Sequence, residues 1–86
     1  MQRILREPVS VITSYNHKSK EVRPISLSWH NQTFPILQVG LHHSYQQGAS
    51  KHHVFSVTSD NLFFRLNLNT DNLHWTIEEI SDGLPD

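Results

Sequence analysis

The stretch Lys51–Ile80, KHHVFSVTSDNLFFRLNLNTDNLHWTIEEI, decides the fold, because its apolar residues recur at every second position between two turn-forming segments. His53, Phe55 and Val57 are followed by Ser59-Asp60-Asn61, then Leu62, Phe64, Leu66 and Leu68, then Asn69 to Asn72, then Leu73, Trp75 and Ile77. Successive strand side chains point to opposite faces, so this period of two predicts three antiparallel strands with one apolar and one wet face. The prediction is a β-meander.

Upstream, Pro8 to Thr13 is rich in β-branched residues and predicts a first strand, with Pro8 placed where no ladder donor is lost. Ser14 to Arg23 is polar, mixed in charge and aperiodic, which predicts an exposed, mobile loop. Pro24 to Trp29 alternates Ile25, Leu27 and Trp29 against Ser26, Ser28 and His30 and predicts a second strand, with His30-Asn31-Gln32 as a hairpin turn because Asn31 tolerates positive φ. A third strand runs from Thr33 to about Tyr45. Its phase slips, with Phe34 and Ile36 on one parity and Leu37, Val39 and Leu41 on the other, as a β-bulge produces. Pro35 and Gly40 favour an edge or a sharp bend, so this strand is expected to curve enough to serve two halves of a small barrel. Gln46 to Lys51 is read as a loop. The expected fold is all-β: a single domain over residues 1–86, with tails at 1–7 and 81–86, forming a six-stranded antiparallel meander. Such a sheet bends strongly or curls into a partly open barrel of SH3-like or OB-like size. Closure would pair the first strand with the last.

Composition limits the rest. With 86 residues and no cysteine, neither a disulfide framework nor a thiolate metal site supplements the core. The N-terminal residues hold no apolar run resembling a signal peptide, and no window approaches a membrane span, so a cytoplasmic protein with no membrane partner is expected. The net charge of −1 removes the simplest argument for nucleic-acid binding, although cations gather before residue 24 and carboxylates after residue 59.

Seven histidines are the compositional oddity. His42 and His43 precede the Gln46–Lys51 loop and His52 and His53 follow it. Adjacent strand residues face opposite ways, so only one histidine of each pair can share a face with one of the other, leaving two ligands and no cysteine or carboxylate to complete a shell. No metal site and no cofactor are therefore predicted. Nor does the chain hold a Gly-x-Ser-x-Gly elbow, a Gly-rich phosphate loop or a His-Glu-x-x-His motif, and Glu78 and Glu79 are expected to alternate across a strand, so no enzyme is predicted.

Binding is the remaining class. Trp29 and Trp75 share the parity of core residues, whereas Phe63 stands on the wet face of its strand beside Arg65. Aromatics interleaved with cations on a curved sheet hold single-stranded nucleic acid by stacking and phosphate contacts. The candidate binding residues are Arg23, Tyr45, Lys51, Phe63 and Arg65. A protein partner is the first expectation, a sequence-tolerant nucleic-acid contact the second, and a histidine-based metal or small-ligand site the third.

The order of Glu7-Pro8-Val9-Ser10-Val11, Arg23-Pro24 with Leu27-Ser28-Trp29, Phe34-Pro35-Ile36-Leu37-Gln38-Val39, His53-Val54-Phe55-Ser56-Val57, Leu62-Phe63-Phe64-Arg65-Leu66 and Trp75-Thr76-Ile77-Glu78-Glu79-Ile80 resembles a family. It is the small uncharacterised bacterial domains designated DUF6504, found alone or at the C-terminus of Y-family DNA polymerase proteins. The resemblance implies a compact β-domain whose neighbours sometimes handle DNA, with no activity to transfer. His30-Asn31-Gln32 replaces a glycine and basic residues of the family pattern, and the stretch after Val39 has His42, His43 and Tyr45 where a tryptophan is usual.

Overall fold

The computed structural model describes residues 2–82. Seven strands form one sheet: β1 Gln2–Asn16, β2 Glu21–Trp29, β3 Gln32–Pro35, β4 Gln38–Gln47, β5 Ser50–Ser59, β6 Leu62–Asn69 and β7 His74–Ser81. Their order is β3-β2-β1-β7-β6-β5-β4, every neighbouring pair is antiparallel, and the sheet curls into a half-barrel. The fold class agrees with the sequence reading, with one strand more. The extra strand arises because the expected third strand breaks at Ile36–Leu37: the Ile36 amide donates to the Ile25 carbonyl at 2.8 Å and the Leu37 amide to that of Thr58 at 2.8 Å. One short link thus carries the chain from one end of the sheet to the other. The first and last strands do pair, β1 with β7, so the remaining opening falls between β3 and β4.

The concave face holds the core. Leu27, Phe55, Val57, Phe64, Leu66 and Ile77 pack together, and Val9, Val11, Phe34 and Val39 are among the half-buried residues against them. Register shifts decide which residues join. Ile12 pairs with Ser26 and Thr13 with Pro24, so Ile25 is the extra residue of a bulge. Pro24 is consequently buried and Ile25 is exposed, although simple alternation placed Ile25 inside. A second bulge sits in β4, where Val39 pairs with Val57 and His42 with Phe55. Of Leu37, Val39 and Leu41, only Val39 packs on the core; the other two are exposed.

Turn chemistry explains the remaining corrections. Residues 14–23 are exposed as expected, but only 17–20 form a connecting turn; 14–16 end β1 and 21–23 begin β2. The Asn16 side-chain oxygen accepts from the Lys18 and Ser19 amides, the Asn16 carbonyl accepts from the Lys20 amide at 2.7 Å, and Lys20 takes φ 59°. The β6–β7 turn repeats the device: Asn69 accepts from the Asp71 amide through its side chain and from the Leu73 amide through its carbonyl, and Leu73 takes φ 60°. Leu73, expected to start a strand on the apolar face, is therefore an exposed turn residue. The β2–β3 turn has φ 52° at His30 and 61° at Asn31, the two positive values of a type I′ hairpin. Residues 46–51 are likewise strand except for the two-residue turn at Gly48, φ 61°, and Ala49. Residues 2–7, expected as a tail, belong to β1, where Gln2, Arg3 and Ile4 pair with Ser81, Ile80 and Glu79. Of the expected C-terminal tail, Ser81 ends β7 and 83–86 lie outside the described residues.

Candidate binding groove at the open seam

β3 covers only the Ser26–Trp29 part of β2. Beyond it, among the described residues, Glu21 to Pro24 pair with β1 on one side and have no strand on the other, and β4 pairs with β5 alone. Between these two free edges lies a groove of about 540 Å³. Its β2 wall is Lys20 to Pro24, its β4 wall is Val39 and His42, and its floor is His53, Phe55 and Leu68. An apolar floor with a few polar groups is the usual composition of a binding cleft, and the volume lies in the usual range.

The floor carries a histidine pair. The β4 bulge turns His42 inward, where its Nε2 meets Nδ1 of His53 at 2.8 Å, one imidazole N–H donating to the other ring. The His42 ring stacks on Phe55, with centroids 4.2 Å apart and planes 8° from parallel. Burial pushes the His53 imidazole below its ordinary pKa, and the neighbouring His42 and then Lys51 push it further in the same direction. The one-from-each-pair geometry expected from alternation is what forms. His43 and His52 belong to the other face.

On that convex face a second network centres on Asn67, which is buried. Its Oδ1 accepts from His52 Nδ1 at 2.9 Å, and its Nδ2 donates to the Tyr45 hydroxyl at 2.9 Å and to Glu78 Oε2 at 3.0 Å. Tyr45 stacks on His52, with centroids 4.9 Å apart and planes 2° apart. Glu78 also lies 3.5 Å from Arg65 Nε, and Arg65 pairs with Glu79 as well. This corrects the expectation that Glu78 and Glu79 point to opposite faces. Arg65 pairs with Glu79 and Leu66 with Ile77, so Glu78 is the extra residue of a bulge and both carboxylates reach one guanidinium.

The five candidate binding residues do not converge. Arg23 lines the seam groove. Tyr45 stands on the convex face with ring and hydroxyl both engaged. Lys51 is exposed near the β4–β5 turn and acts electrostatically on His53. Phe63, 47% exposed, borders a shallower convex groove of about 410 Å³ with Leu41 and Arg65. Trp29 and Trp75 pack against the core, as their parity implied; the Trp29 ring stacks on His30, which bonds to Glu7 at 3.1 Å, while Trp29 Nε1 is buried without a partner. Sequence reasoning missed the role of Lys20–Pro24 as a groove wall, since it took most of that segment for loop. No protein-family model, curated protein or solved structure matches the chain.

Proposed function

We propose that this chain is a non-catalytic interaction module that receives an extended segment of a partner protein along the seam between β2 and β4. The observation that carries the reading is the pair of free strand edges flanking one groove with an apolar floor. Free edges offer unpaired N–H and C=O groups, which a partner strand satisfies and a small molecule does not. Edges without such a partner are usually blunted by lysine, proline or charge. β4 carries no Lys, Arg, Asp or Glu and no proline, and only its bulge interrupts it. On the opposite wall Lys20 and Arg23 outnumber Glu21, so the segment that fits carries carboxylates among its apolar residues. Single-stranded nucleic acid is the weaker occupant, because Arg65 is neutralised by two glutamates and Tyr45 has its ring covered by His52. A DNA-processing context follows from the family resemblance alone.

The test is selection of a displayed library of random dodecapeptides on the full chain. Gln47 and Ser50 flank the two-residue turn and form a hydrogen-bonded pair, so alternation directs the backbone groups of Ser44 away from β5. Ser44→Pro therefore removes an edge donor while sparing the ladder, as prolines on edge strands do. Selected peptides should alternate apolar and acidic residues, perturb the amides of residues 21–23 and 42–47, and bind the folded Ser44→Pro variant at least about tenfold more weakly, the equivalent of one lost backbone hydrogen bond. A selection that enriches nothing overturns the proposal. So does peptide binding unchanged in the folded variant, or salt-sensitive binding of oligothymidine at those same amides without any peptide binding.

A further inference from the structure

The histidine pair has a property independent of any peptide in the seam. His42 Nε2 and His53 Nδ1 approach to 2.8 Å, so a single proton lies between two nitrogen lone pairs aimed at one point. A metal ion that replaces this proton receives two ligands already brought together by adjacent strands. An imidazole nitrogen sits about 2.0 Å from such an ion, so a linear arrangement needs about 4 Å between the nitrogens. The rings have to part by roughly 1 Å to reach that span. His42 can do so by sliding in its own plane over Phe55, since the two rings are 8° from parallel.

The surroundings choose the ion. Among the described residues no third histidine, cysteine, aspartate or glutamate joins the pair. Zinc normally takes at least three protein ligands, and calcium and magnesium take oxygen. Copper(I), a d¹⁰ ion with no geometric preference imposed by its d electrons, is satisfied by two nitrogen donors in line, and imidazole is a ligand that suits copper. Charge points the same way. Lys51 acts on His53, and Lys20 and Arg23 outnumber Glu21 along the groove, so a monovalent ion meets half the net repulsion that a divalent one would. Val39, Phe55 and Leu68 supply apolar walls. We propose that His42 and His53 form a two-coordinate copper(I) site on the floor of the seam groove. His52, whose Nδ1 is engaged by Asn67 on the opposite face, takes no part.

The experiment titrates the full chain with copper(I), generated anaerobically with ascorbate, against a colorimetric copper(I) chelator. One ion per chain should bind. His42→Phe and His53→Phe should each weaken binding by more than about a hundredfold, and His43→Ala, on the other face, should leave it unchanged. X-ray absorption of the loaded wild-type chain should show two nitrogen neighbours, a readout that needs no variant to fold. Three or more nitrogen neighbours, undiminished affinity in the double His42→Phe/His53→Phe variant, or greater thermal stabilisation by zinc than by copper(I) at equal concentration would each overturn the assignment.

Discussion

The central strands β5, β6 and β7 and the edge strand β4 lie in one sheet and meet opposite fates. Leu66, in the middle of β6, is 0% exposed, whereas Leu41, in β4, is 71% exposed. β6 has a paired strand on each side and β4 has one, and no residue of β4 is buried. Pairing on both sides does not by itself bury a strand, since β1 lies between β2 and β7 and none of its residues with described burial is buried. The central strands are packed on both faces, since Val54 and Asn67 are buried on the convex side while Phe55 and Leu66 are buried on the concave one. Leu41 is thus an exposed apolar residue on a strand with one paired neighbour.

The largest test of this contrast is a pair of truncations followed by chemical denaturation. Leu66→Ala should cost about 2–5 kcal/mol, the usual range for a fully buried leucine. Leu41→Ala should stay within about 0.5 kcal/mol. Comparable losses would break the contrast, because they would mean that β4 is covered in solution. The next effect sharpens it on the convex side: Asn67→Ala leaves Tyr45, His52 and Glu78 each short of a partner and should cost about 1–3 kcal/mol. A near-neutral result would show that the convex face is wetter than its geometry. The smallest effect is read against pH. His53 titrates lower in the folded chain than in the unfolded one, where histidine has a pKa of about 6.5. As pH falls below that value the unfolded chain takes up the proton first, so acid favours unfolding and the stability present above about pH 6.5 declines. The melting temperature should fall between pH 7 and 5, and His53→Phe should lose part of that slope. An unchanged slope would remove His53 from the account.

Much of this architecture is legible in one period-two pattern. The parity of Phe55, Val57, Phe64, Leu66 and Ile77 places all five in the core, and Asn31 marks a hairpin whose backbone has the expected positive φ. What alternation misreads is wherever one extra residue enters a strand. Ile25, Leu41 and Glu78 were each assigned a face by counting, and in each case a bulge moved them or their neighbours. Bulges depend on the register between strands, which a single strand's residues do not encode. The segment 14–23 failed for another reason: it is polar because its strands lie at the open seam, and its ordering device is one asparagine side chain. For the histidines, alternation fixed how many could meet. Which member of the first pair turns inward was set by the β4 bulge alone.

That bulge has an evolutionary consequence. Between Val39 and His42, β4 holds one residue more than its partner strand spans. Removing Leu41 would restore strict alternation and, because paired residues share a face, would keep His42 opposite Phe55 in the cleft and Tyr45 opposite His52 on the outside. The loss of a single codon would thus straighten the edge strand and leave the cavity with the chemistry it has now.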